Sequence, residues 1–166
     1  MDAGFYGVIV PNICTKKDLR DIALNLSWPP TGTRGVGFCM ANKYGIHFDE
    51  YKEFSQTPFL VPMIESEQGV ENILEILSLR SDAVLIGPYD LSASLGIVGQ
   101  FDHPRYISAI NHISSQCSAS SIPFGLHQVS PDPKSLDRLI ESGCLFIPYS
   151  IDTVFFASSI SNPFSV

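Results

Sequence analysis

The chain has 166 residues, 45% of them hydrophobic and 16% charged, enough for one domain with a real core. A net charge of −7 without basic runs argues against nucleic acid or an anionic membrane surface as the main partner. Four scattered cysteines (Cys14, Cys39, Cys117 and Cys144) show no CxxC and no zinc spacing, and neither a leader nor a run of membrane-spanning length is visible, so a cytoplasmic protein with reduced, buried thiols is expected.

In chain order, "FYGVIVP" (5–11) predicts a buried strand, with Thr15 capping a helix over "KKDLRDIALNL". "PFLVPMIE" (58–65) predicts a second strand. Ser66 then caps one helix through "EQGVENILEILSL", with Val70, Ile73, Leu74, Ile76 and Leu77 as its apolar stripe. "DAVLIGP" (82–88) reads as the third strand and "HPRYISAINHISSQCSAS" as the next helix, with Pro104 in its first turn. "IPFGLHQ" (122–128) is the fourth strand, "DPKSLDRLIESG" a helix closed by Gly143, and "CLFIPYS" (144–150) the fifth strand.

Continuous apolar strands separated by amphipathic helices indicate a parallel sheet covered by helices, an α/β fold spanning residues 1–166 as a single domain. Residues 29–57 are too long and too polar for a simple connection and predict a functional loop containing a short helix. Its glycines and Arg34 do not have the spacing of a phosphate-binding loop.

Ligands of α/β folds sit beyond the carboxyl ends of the strands. The polar residues there are Asn12, Glu65, Asp90, His127, and Tyr149 with Asp152. Glu65 ends its strand, and Asp90 follows the next strand after Gly87, Pro88 and Tyr89. Two carboxylates on neighbouring parallel strands would repel each other unless a divalent cation lay between them, and a hard oxygen set suits Mg²⁺ or Mn²⁺. Spacing alone favours the plainer alternative, in which both acids are helix caps or solvated loop groups.

The stretches "PMIESEQGVENILEI", "DAVLIGPYDLSASLGIVGQFDHP" and "PPTGTRGVG…ANKYG" resemble the HpcH/HpaI aldolase/citrate lyase family, in its metal-dependent pyruvate aldolase branch. "MDAGFYGVIVPNI" resembles that family's fourth-strand segment and "SGCLFIPYSID" its last strand, so the resemblance runs from about residue 2 to 155. It implies a partial (β/α)₈ barrel of about five βα units, corresponding to strands four to eight. It implies that Glu65 and Asp90 bind Mg²⁺ or Mn²⁺, with Co²⁺ a further candidate. The metal would chelate pyruvate and stabilise its enolate, making the protein a carbon–carbon lyase that cleaves a 4-hydroxy-2-oxo acid to pyruvate and an aldehyde. Gly87, Pro88, Tyr89 and Asp90 would bind the substrate, with the amides of Tyr89 and Asp90 turned to its carboxylate. Leu91, Ser92 and Ser94 would orient that turn. Arg34 is either an anion contact or a loop anchor, His127 either a pocket residue or a structural group, and Asn12 either a pocket wall or packing.

A complete barrel of this kind takes about 250 residues. The resemblance leaves the first three βα units, with the family's histidine base and arginine, outside this sequence; no catalytic residue is identified here. The end is also short of the helix that relatives pack between subunits, and Met1 before "DAG" suggests an internal start. The expectation is a truncated chain whose partners are a small 2-oxo acid and either further copies of itself or a complementing chain. The competing functional reading is a catalytically incomplete remnant that binds metal or pairs with another chain; a weaker one is a citryl- or malyl-CoA lyase-like enzyme.

Overall fold

The computed structural model describes residues 1–55 and 57–160. The first apolar run forms β1 (Gly7–Val10). Helix α1 (Lys16–Leu26) starts in a capping box: the Thr15 N–H donates to the Asp18 carboxylate at 2.8 Å, and the Thr15 hydroxyl accepts from the Asp18 N–H at 3.3 Å. The long connection holds a 3₁₀ segment (Met40–Gly45) and α2 (Phe48–Ser55), in line with the short helix expected there. Then come β2 (Phe59–Ile64), α3 (Glu67–Glu71), α4 (Ile73–Leu77), β3 (Val84–Ile86) and α5 (Pro88–Ser94). Helix α6 (Pro104–Ala119), β4 (Phe124–Leu126), α7 (Pro133–Glu141) and α8 (Asp152–Ser159) complete the described elements.

The four strands pair in parallel in the order β1-β2-β3-β4. A strand order that follows the chain without reversal is that of an arc of a (β/α)₈ barrel, not of a doubly wound sheet, which reverses at a switch point. Successive side chains alternate between the two faces of each strand. On one face Val8, Leu60, Ile64, Val84, Ile86 and Phe124 join the helices in the main core, where Leu19, Ile73, Ile76, Leu91 and Ile113 are fully buried. On the other, Val61 and Leu85 form a smaller cluster with Ala83, Met63 and Phe146. Strand β1 is an edge of this sheet, and its Ile9 is 44% exposed.

Three elements differ from the sequence expectation. The helix after Ser66 is broken at Asn72, whose backbone leaves the helical region (φ −92°, ψ 9°) while its side-chain amide donates to the Cys14 carbonyl at 2.9 Å. Leu74, beyond the break, is consequently exposed rather than part of the stripe. The "GPYD" turn is the start of α5, with Gly87 as N-cap and Pro88 in the first position, where a missing N–H costs nothing.

The third is the fifth apolar run, which lies beside β4 without becoming a regular strand. The Leu145 N–H donates to the Phe124 carbonyl (2.9 Å), and only Gln128 and Tyr149 form a bridge. The Phe146 carbonyl is pressed against Gly125, so closely that a Cβ there would lie 1.5 Å from its oxygen. Pro148 has no N–H to give to a ladder. Of the cysteines expected in the core, Cys117 and Cys144 are buried, whereas Cys14 and Cys39 are only partly covered.

Candidate metal and substrate site

The register of β2 against β3 pairs Ile64 with Ile86, and the next residues on the two strands are Glu65 and Gly87. Glu65 is 8% exposed. Its Oε1 accepts a hydrogen bond from the backbone N–H of Asn12 at 2.7 Å, across the end of β1. Its Oε2 lies against Gly87, where an added Cβ would sit 2.7 Å from that oxygen and 3.1 Å from the Glu65 Cβ. Among the described residues no lysine, arginine or histidine pairs with this carboxylate. A buried acid that has one oxygen satisfied, the other in a cradle open only because Gly87 lacks a side chain, and no protein cation beside it fits a divalent metal.

Asp90 stands in the first turn of α5 with its side chain exposed. An acid in a helix's first turn is favoured by the unpaired N–H groups there, so this placement alone is also that of a solvated end residue. Two hydroxyls hold the segment. Ser92 is fully buried, donates to the Tyr89 carbonyl (2.7 Å) and accepts from the Gly99 N–H (3.0 Å). The Ser94 hydroxyl accepts from the Glu67 N–H at 2.9 Å, joining the start of α3 to the end of α5. No group of three or more His, Cys, Asp or Glu side chains gathers among the described residues. A metal here would therefore take its remaining ligands from substrate oxygens and water, as Mg²⁺ commonly does.

Tyr89 is half-exposed, its ring edge-on to Phe101 with centroids 5.1 Å apart. Together with His127, Ser130, Ser135 and Arg138 these rings line a cavity of about 550 Å³ beyond the end of β4. The Nε2 of His127 lies 3.3 Å from the Ser150 carbonyl. A carbonyl only accepts, so that nitrogen carries the proton in this contact and Nδ1 is left as the acceptor in the neutral ring. Arg34 sits elsewhere. Its guanidinium packs 5.6 Å and 5.7 Å from the ring centres of Trp28 and Tyr51, and donates to Asp2 and to the Tyr51 hydroxyl. These contacts tie the long connection to the chain's start, and neither strand-end carboxylate is among the partners.

Sequence reading placed Glu65, Asp90 and Asn12 at one end of the sheet, but it missed the main-chain contact from Asn12 to Glu65. The one available signal was an asparagine directly after the strand, since asparagine enters the left-handed region readily. It also missed His103, whose Nδ1 accepts from the Arg105 N–H and caps α6.

Residues 1–159 match the family model of HpcH/HpaI aldolase/citrate lyase. The chain belongs to this family. Over 161 residues it is 32% identical to the 5-keto-4-deoxy-D-glucarate aldolase of Escherichia coli O6:H1, an alignment covering 96% of this chain and 62% of that protein. The crystal structure of an HpcH/HpaI aldolase/citrate lyase family protein from Burkholderia cenocepacia J2315 superposes with a TM-score of 0.88 at 26% identity, over 95% of this chain and 63% of that one. An HpcH/HpaI aldolase from Desulfitobacterium hafniense DCB-2 gives 0.81 at 26% identity, over 95% and 61%. The chain thus spans less than two thirds of the length of these relatives. The parallel sheet is a partial barrel of this family's fold. No helix among the described residues is long and apolar enough to cross a membrane.

Proposed function

We propose that this chain carries the metal-binding part of a divalent-metal carbon–carbon lyase that cleaves a 4-hydroxy-2-oxo acid to pyruvate and an aldehyde. The observation that carries the reading is Glu65: a carboxylate held at a strand end, nearly buried, with no cationic side chain beside it among the described residues. Glu65 and Asp90 hold Mg²⁺ or Mn²⁺, which when bound supplies Lewis acidity to the oxygens of a 2-oxo acid. The first turn of α5 offers the unpaired N–H groups of Tyr89 and Asp90 to the substrate carboxylate. The aldolase names of the relatives support the reaction class.

A second reading is favoured by the edge of the sheet. Strand β1 leaves one side unpaired and Ile9 half-uncovered among the described residues. A further polypeptide segment, laid in parallel along Gly7–Val10, would cover both and supply a proton-transferring group.

Deuterium exchange into the methyl group of pyruvate, followed by NMR with and without Mg²⁺, separates the two. Metal-dependent exchange by the 166-residue chain that is lost in both E65Q and D90N supports a working lyase site. Metal binding that needs both acids but brings no exchange supports the second reading. Metal binding unchanged in both variants removes the site altogether.

A further inference from the structure

We propose that Asn12 is the positioning residue of the Glu65 carboxylate, and that it acts through its backbone N–H rather than its side chain; the inference rests on the metal reading of Glu65. The observations are local and specific. Asn12 follows β1 after Pro11 and has a left-handed backbone, φ +56°. Its side chain is exposed and makes no hydrogen bond among the described residues, whereas its N–H reaches Glu65 Oε1 at 2.7 Å. The next amide, Ile13, turns back to the Met63 carbonyl at 3.4 Å. A single residue therefore leaves the strand-to-strand pattern, and the amide it frees is given to the carboxylate.

The consequence is a fixed orientation. A glutamate has three side-chain torsions, and a free carboxylate at a strand end would sample many directions. Here Oε1 is held by the Asn12 N–H and Oε2 is confined against Gly87. The carboxylate is set before a metal arrives, and a ligand oriented in advance binds with less loss of freedom. Left-handed backbone is disfavoured for most L-residues but accessible to asparagine and glycine. The side chain at position 12 thus matters for the conformation it permits, not for anything it touches.

The test compares N12G, N12A and N12V with the unaltered chain. Mn²⁺ affinity is measured from the free-ion EPR signal, and stability from thermal unfolding. N12G should bind Mn²⁺ within about twofold of the unaltered chain, while N12V, β-branched and averse to the left-handed region, should bind about tenfold more weakly. N12A makes the same comparison if N12V does not fold. NMR of the position-12 amide supplies a readout independent of metal: its resonance should move in E65Q. Equal affinity in all variants, or a loss in N12G as deep as in N12V, overturns the inference. If the unaltered chain binds no Mn²⁺ while E65Q still shifts the amide, the contact stands and the metal reading of Glu65 falls, taking the proposed role with it.

Discussion

Ser94 accepts a hydrogen bond from the backbone N–H of Glu67 over 2.9 Å, so the helix bearing Asp90 is fastened to the helix that follows Glu65. The two acids belong to different βα units, and this hydroxyl is a direct tie between the segments carrying them. A neutral hydrogen bond of this kind contributes about 1 kcal/mol net. S94A should therefore cost about that much stability and weaken Mn²⁺ binding by about threefold through looser placement of Asp90. E67A, which keeps the main-chain donor, should bind Mn²⁺ as the unaltered chain does. Undiminished Mn²⁺ affinity in S94A would show that the hydroxyl does not set the place of Asp90.

Gly87 tests the other wall of the Glu65 seat. Its φ of −90° suits any L-residue, so G87A introduces no backbone strain, only a methyl group 2.7 Å from Oε2 and 3.3 Å from the Met63 sulfur. Glu65 must then swing away and give up the Asn12 N–H. Titration calorimetry should show Mn²⁺ affinity reduced by about tenfold or more, equivalent to the cost of breaking a charge-assisted hydrogen bond. Undiminished affinity would mean that Glu65 reaches the metal from a different rotamer.

The parts of this fold legible in the sequence were those determined by neighbouring residues. Thr15 and Ser66 cap their helices as expected because capping is settled within three residues. Strands β1 to β4 fall inside their apolar runs. The misreadings are tertiary. The helix breaks at Asn72 because a carbonyl 58 residues away, that of Cys14, takes its side-chain amide. The run 144–150 falls short of a regular strand where the Phe146 carbonyl crowds Gly125 and Pro148 brings no N–H, which leaves a single bridge between Gln128 and Tyr149. At the site, the acid at the end of "VPMIE" was legible as a strand-end residue. The amide that seats it was not, since every residue but proline carries one and only the backbone turn decides where it points.

Arg34 ties the connection between α1 and α2 to Asp2 near the chain's start. Only 8% of its side chain is exposed, between the rings of Trp28 and Tyr51. R34A loses the stacking and the hydrogen bonds to Asp2 and Tyr51, a destabilisation of about 2 kcal/mol. R34K should recover little of it, because an ammonium neither stacks as a plane nor forks between two acceptors. Trp28 is the chain's one tryptophan, so its emission reports the change directly. An R34A variant with unaltered emission and unaltered unfolding midpoint would release Arg34 for the anion-binding role its loop also allows.

Acid stability has an identifiable contributor in the first helix. The Thr15 side chain, with the backbone N–H groups of Thr15 and Cys14, holds the Asp18 carboxyl below its ordinary value, against the opposing effect of burial. A carboxylate with a lower pKa in the folded chain than in the unfolded one favours folding while it stays ionised in both. That contribution is complete above the unfolded value of about 3.9, and fades as pH falls through the lower folded value. D18N removes the charge at every pH. Denaturant unfolding should therefore show the unaltered chain ahead of D18N by a constant margin from pH 7 down to about 5, with the margin narrowing steadily below about 4. A margin that stays constant down to pH 2 would mean that the capping box works through geometry alone, with the charge on Asp18 contributing nothing.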